Sequence, residues 1–172
     1  YYNSVDCLMG ISKQTVNIVD NVCQIKPRTD WDNTYVPHGI NEKNFYPVTP
    51  LNTKEWGDLL QFKRNVTQGK DYEFIVFWNN RNIRRKLPGD VIMAYKQFCD
   101  MLPKEQSDKC ALIMHTQPRD ENGTDLPEVV RELCPNYDVI FSHKKLDDKQ
   151  LCYLYNIADV QVNMASNEGF GL

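Results

Sequence analysis

No apolar run in this sequence approaches the ~20 residues that a membrane span needs, and no signal-peptide pattern opens it. Its six cysteines (Cys7, Cys23, Cys99, Cys110, Cys134, Cys152) include no C-x-x-C pair, and most sit in apolar-periodic segments. Buried free thiols in a reducing, cytoplasmic compartment are therefore expected, rather than disulfides or zinc ligands. The sequons Asn65-Val66-Thr67 and Asn122-Gly123-Thr124 matter only in a secretory lumen. There is no Walker loop, no H-E-x-x-H and no Ser–His–Asp order, so P-loop nucleotidases, zinc proteases and triad hydrolases have no support. No basic excess exists either: 20 basic residues face 23 acidic ones, a net charge of −3, which argues against nucleic acid as the main partner. Internal repeats and low-complexity segments are lacking too.

The 172 residues, 41% hydrophobic and 25% charged, have the composition of an ordinary globular chain of one domain or one and a half. The chain begins Tyr1-Tyr2 without a Met and stops in a glycine turn, so it reads as a segment of a longer protein. Ser12 is a good N-cap for a short amphipathic helix carrying Val16, Ile18, Val19 and Val22. Thr34 to Val36 reads as a strand, and the stretch from Asn41 to Thr53, punctuated by Pro47 and Pro50, reads as a linker. We therefore expect one domain over residues 1–47 and a second over 48–172, opened by a helix near Lys54 to Asn65.

In the second part, strand and helix alternate four times. Strands are expected at Tyr72 to Trp78, Cys110 to His115, Tyr137 to Phe141 and Val160 to Met164. Helices are expected at Leu87 to Leu102, around Leu126 to Leu133, and at Leu146 to Asn156. Such alternation specifies an α/β fold, a doubly wound parallel sheet with helices on both faces.

Ligands of such sheets bind beyond the carboxyl ends of the strands. The loops there carry Asn79, Asn80, Arg81, Arg84, Arg85 and Lys86; then His115 and Thr116; then Ser142, His143, Lys144 and Lys145; then Ser166, Glu168, Gly169, Phe170 and Gly171. Donors suited to phosphates or base edges dominate three of these loops, and a carboxylate between small residues occupies the fourth. Cations at a helix N-terminus oppose its dipole, which makes Arg81 to Lys86 an odd solvated run unless an anion sits among them. The bland readings are a helix start for that run, and loop or turn roles for His38, His115 and His143.

Taken in order, these pieces resemble the group-one retaining glycosyltransferases of GT-B fold, over nearly the whole chain. Val5 to Ser12 is similar to the family's "aD.vi.vS" strand, and Val36-Pro37-His38-Gly39-Ile40 with Phe45 and Pro47 to its "iPhGvd...F.P" crossing. Phe77 to Lys86 is similar to "vGR....KG", Leu146 to Ile157 to "L..lY..AD", and Ser166 with Glu168 to Leu172 to "S..EGFGL". The usual glycines before the Arg and after the Lys are Asn80 and Leu87 here, which implies a differently shaped phosphate loop.

The resemblance implies transfer of a hexose from a nucleotide diphosphate sugar to an acceptor hydroxyl, with retention of configuration. It implies that Arg81 and Lys86 hold the diphosphate beside Asn80, and that His143 and Lys144 lie where the base is received. Glu168 would bind donor-sugar hydroxyls, with Gly169, Phe170, Gly171 and Leu172 offering backbone groups around sugar and phosphate. Arg81, Lys86 and Glu168 are thus the catalytic candidates, with no metal or other cofactor called for. The acceptor is a glycan, glycolipid or protein-glycan, as in polysaccharide biosynthesis, and peripheral membrane contact through residues outside the segment stays open. The segment alone is expected to be inactive. Two readings stand beside this one: a non-catalytic nucleotide-sugar-binding module and a sugar-nucleotide epimerase of the same fold.

Overall fold

The computed structural model describes residues 8–23 and 34–168. It divides into two units, one of Tyr1–Asn41 with Glu168–Leu172, the other of Glu42–Asn167. In the first, β1 (Met9–Gly10), α1 (Lys13–Val22) and β2 (Thr34–Tyr35) form a small β-α-β arrangement with parallel strands. The Ser12 hydroxyl accepts the Thr15 N–H at 3.0 Å, so the expected cap starts α1. A Cβ at Gly10 would lie 2.6 Å from Val16 Cγ2, so only glycine lets strand and helix approach this closely. The family-like residues Val5, Asp6 and Cys7 lie outside the described residues.

The second unit opens with α2 (Thr53–Val66) and is built on β3 (Phe74–Asn79), followed by α3 (Pro88–Asp100) and the single turn α4 (Lys104–Ser107). Next come β4 (Cys110–His115), α5 (Leu126–Leu133), β5 (Asp138–Ser142), α6 (Asp148–Asn156) and β6 (Val160–Gln161). The sheet has order β5-β4-β3-β6, and every pairing is parallel.

Side chains alternate across a strand, and β3 and β4 are buried on both faces, so each strand feeds two cores. Val76 and Trp78 of β3 join Leu112 and Met114 of β4 beneath α3 and α5, where Val91, Ile92, Tyr95 and Leu126 pack. Ile75 and Phe77 join Ala111 and Ile113 on the opposite face, against Leu59 of α2 and Tyr153 and Leu154 of α6. Helices thus cover both faces, as the alternation predicts. Ile75, Phe77 and Trp78 have no exposed surface, and burial of such side chains contributes about 1.5–3 kcal/mol each. The Asp159 carboxylate accepts the Ile75 N–H at 2.7 Å while its own N–H donates to the Ile75 carbonyl at 2.9 Å, a side chain standing in for ladder backbone. Cys99, Cys110, Cys134 and Cys152 are buried free thiols, and Cys23 is a half-buried one. Burial pushes the Cys99 and Cys134 thiols up to about 11.

Three elements differ from the sequence expectation. The last strand is two residues long rather than reaching Met164. Val162 N–H still meets the Phe77 carbonyl at 2.9 Å, but Ser166 N–H then turns to the Arg85 carbonyl at 2.8 Å. Helix α6 begins at Asp148 rather than Leu146, because Asp147 and Gln150 form a capping box. The basic run is not the first turn of α3: Arg84–Lys86 forms a 3-10 turn, Leu87 is left-handed (φ 51°, ψ 46°), and α3 starts at Pro88.

Leu87 therefore carries a conformation that glycine adopts without steric cost. Replacing it with Ala or Gly removes most of the side chain in both cases, but only Gly relieves the backbone. Leu87→Gly is expected to be more stable than Leu87→Ala by about 1 kcal/mol, or roughly 2–4 °C in melting temperature. Equal melting temperatures in paired thermal scans would contradict this.

Candidate functional site

Because all four strands run the same way, their carboxyl ends share one edge of the sheet. Asn79 ends β3 and Asn80 and Arg81 follow it, His115 ends β4 and Thr116 and Gln117 follow it, and Ser142 ends β5 and His143 to Lys145 follow it. These ten residues line a cleft of about 340 Å³, within the range of small-molecule sites. The Asn79 amide donates to the Tyr155 hydroxyl at 2.9 Å, and the Tyr155 ring meets Phe77 edge-on. His115 Nδ1 and Ser142 Oγ lie 3.0 Å apart, Thr116 N–H donates to the Ser142 carbonyl at 3.0 Å, and the Gln117 amide reaches the His143 carbonyl at 3.5 Å. The Thr116 hydroxyl is buried without a hydrogen-bond partner among the described residues. His143, Lys144 and Lys145 are exposed at the rim.

One buried amide organises the first wall. Asn82 has no exposed surface. Its Nδ2 faces the carbonyls of Gln117 (3.3 Å), Pro118 (3.2 Å) and Thr124 (2.7 Å), and its Oδ1 accepts the Thr124 N–H at 3.1 Å. The residue after Arg81 is thereby stitched to the loop after β4. Inside that loop Asp120 turns the chain: its Oδ1 accepts the Asn122 N–H and its carbonyl accepts the Gly123 N–H, both at 2.9 Å. The same carboxylate receives Arg81, Nε at 2.9 Å and Nη2 at 3.2 Å. The Arg81 hydrogen bond, helped by the Asn122 N–H, holds Asp120 below the usual carboxylate range.

The sequence candidates separate clearly. Asn80, Arg81, His143 and Lys144 converge on the cleft. Lys86 is buried and does not line it. Glu168 groups with residues 1–41 and not with the cleft's unit. Gly169, Phe170, Gly171 and Leu172 lie outside the described residues. The loops after β3 and β6 do meet. Besides Ser166 N–H on the Arg85 carbonyl, Ser166 Oγ lies 3.3 Å from that oxygen and the Arg85 guanidinium donates to the Asn167 carbonyl at 2.9 Å. Asn82, Asp120 and Gln117 were not singled out from the sequence, although Asp-x-Asn-Gly is a turn signal.

A larger cleft of about 450 Å³ lies at the opposite, amino ends of the strands, lined by Lys70, Tyr72, Tyr137 and Asp138 among others. Its Asp138 is already shared by Lys70 (2.9 Å) and the Tyr72 hydroxyl (2.7 Å). The carboxyl-end cleft sits where doubly wound sheets receive ligands. Among the described residues there is no group of three side chains suited to a metal, and no helix long and apolar enough to cross a membrane.

No family model matches the chain, and no curated protein matches it by sequence. Solved structures do. The N-terminal domain of a Candida albicans trehalose-6-phosphate phosphatase is similar with a TM-score of 0.68 and 15% identity, covering 96% of this chain and 40% of that one. An α,α-trehalose-phosphate synthase (UDP-forming) from Burkholderia xenovorans, in complex with glucose-6-phosphate, is similar with a TM-score of 0.64 and 12% identity, over 96% and 42%. An E. coli trehalose-6-phosphate structure bound with UDP-2-fluoro glucose has a TM-score of 0.58 and 14% identity, over 95% and 41%. At these identities the likeness establishes the fold, the Rossmann-like α/β architecture of GT-B proteins that the sequence resembles. The chain spans about two fifths of the length of the solved structures it matches.

Two measurements probe this edge of the sheet. A Cβ at Gly123 would lie 2.2 Å from the Asn82 carbonyl oxygen and 2.6 Å from its Oδ1. Gly123→Ala is therefore expected to cost about 1–3 kcal/mol in denaturant unfolding, as overpacking does; an unchanged midpoint would contradict the stitched loop. Burial, partly offset by hydrogen bonding to the Ser142 backbone, lowers the His115 pKa below its ordinary value. The unfolded chain then takes up this proton near pH 6.5 while the folded chain resists until lower pH, so stability is full above about 6.5 and falls below it. His115→Gln should flatten the loss of unfolding free energy between about pH 7 and pH 5; a profile as steep as that of the native chain would count against it.

Proposed function

We propose that this chain is the donor-side part of a glycosyltransferase that moves a hexose from a nucleoside diphosphate sugar to an acceptor hydroxyl with retention of configuration. The observation that carries the reading is the carboxyl-end cleft itself. In a chain of net charge −3, it gathers Arg81, His143, Lys144 and Lys145. In this reading the diphosphate lies against Arg81 and Asn80, and the base lies toward His143 and Lys144. The relatives named in solved structures as UDP-forming or as bound with UDP-2-fluoro glucose make a uridine donor the first to test.

The chemistry sets the demand. As the bond from the anomeric carbon to the leaving phosphate oxygen breaks, its electron pair stays on the diphosphate, and the acceptor oxygen bonds to the same face of the sugar as its proton departs. Fixed positive charge beside the leaving group stabilises that developing charge more than it stabilises the substrate. Arg81, which lines the cleft, meets this requirement by contact, and Lys86, by the resemblance, joins it at the diphosphate. Glu168 and the glycine turn take the sugar side, and the charge requirement is met by side chains without a cofactor. Nucleotide sugars and buried free thiols both suit a cytoplasmic setting. A non-catalytic nucleotide-sugar-binding role is the second reading.

Titration of the chain with UDP, GDP and ADP, followed by ligand-observed NMR, tests the reading. One nucleotide should bind, its sugar conjugate should compete, and Arg81→Ala should weaken both roughly 10- to 100-fold, the scale of a charged hydrogen-bond pair. Failure of every nucleotide to bind a folded chain would remove the donor assignment. Binding without any transfer, in a chain that includes the remaining three fifths, would favour the non-catalytic role.

A further inference from the structure

We propose that Asp120 is a positioning residue, holding the Arg81 guanidinium by one edge so that its other edge faces the anionic part of the ligand. The guanidinium has two forks. Asp120 takes the side-on fork, Nε at 2.9 Å and Nη2 at 3.2 Å. The end-on fork of Nη1 and the second Nη2 proton has no partner among the described residues, and Arg81 is part of the cleft lining. An end-on fork matches two oxygens of a phosphate as well as a side-on one does.

The asymmetry of burial separates this from an ordinary surface ion pair. The Asp120 side chain is 11% exposed and the Arg81 side chain 62%, so the carboxylate is the fixed member and the cation the presented one. An exposed pair would give little, because both partners stay mobile. Here Asp120 is locked by the Asn122 N–H and by its own turn, and the residues flanking that turn, Gln117, Pro118 and Thr124, are bound to Asn82, the neighbour of Arg81, through four contacts. Base and guanidinium of the device are therefore held by the same two consecutive residues. A long side chain already immobilised loses less freedom when an anion arrives. The carboxylate also repels that anion, and the geometry assigns the larger effect to orientation, since the guanidinium stands between the two charges.

The part of this inference that concerns the ligand rests on the nucleotide-sugar reading; the part that concerns Arg81 does not. The test uses the whole 172-residue chain and compares it with Asp120→Asn, Arg81→Ala and the double variant. Side-chain ¹H–¹⁵N spectra should give Arg81 a resolved, slowly exchanging Nε–H resonance that Asp120→Asn moves into the solvent-exchanged envelope. Titration with UDP and with inorganic pyrophosphate at fixed ionic strength should be weakened roughly three- to tenfold by Asp120→Asn, the scale of freezing one long side chain. In the Arg81→Ala background the same substitution should weaken nothing. Tighter or unchanged binding by Asp120→Asn would overturn the proposal and make Asp120 a competitor of the ligand. If the native chain binds neither probe, the donor reading fails on its own, and the Nε resonance decides for Asp120: unchanged exchange in Asp120→Asn sinks the proposal. Should Asp120→Asn melt well below the native chain, Arg81→Lys replaces it. Lysine keeps the charge but has no second fork, so binding should fall as in Arg81→Ala, and native-like binding would overturn the assignment.

Discussion

Burial of one strand on both faces is the constraint from which the larger unit follows. β3 sends Ile75 and Phe77 one way and Val76 and Trp78 the other, and all four are buried. A slip of one residue would exchange the two sets and mismatch both cores at once, so its register is doubly specified. It pairs with β4 on one side and β6 on the other, and helices must cover both faces, α3 and α5 on one, α2 and α6 on the other. The place where β3 stops then fixes where Asn79, Asn80 and Arg81 emerge. Fold and site are joined at a single point of the chain.

Beyond that point polar contacts replace apolar ones. Asn82 ties the first loop to the second, the Asp120 turn supports Arg81, and Ser166 and Asn167 clasp the turn at Arg85. Each is a hydrogen bond between segments far apart in sequence, so the loops hold one another rather than relying on their own conformational preferences. The left-handed Leu87 sits between this network and α3. Strain of about 1 kcal/mol at one residue is sustained when flanking structure over-determines it.

The sheet and its helices were legible because periodicity is local: Leu126, Val129, Val130 and Leu133 announce a helix without any knowledge of their partners. The cleft was legible one step later, because parallel topology brings the carboxyl-end loops together whatever their details. What was hidden depends on distant partners. Nothing near Asn82 signals that its amide meets a loop 35 to 42 residues on, and Asp120 looks like any loop acid until Arg81 is beside it. Lys86 keeps the expected spacing from Arg81, yet it is buried and does not line the cleft, which spacing alone does not signal. The last strand was overestimated for the same reason. Val162 and Met164 alternate correctly, but the Arg85 carbonyl draws the chain away from the sheet.

The thiols give this architecture a built-in clock. Cys99, Cys110 and Cys134 belong to the core under α3 and α5, while Cys152 sits on α6, on the opposite face, with its Sγ toward the Tyr46 carbonyl. A buried thiol does not react with an alkylating agent until its surroundings open. The order in which these four cysteines become labelled would therefore tell which side of the sheet breathes first. Mass spectrometry could read that order peptide by peptide, with no substitution made in the chain.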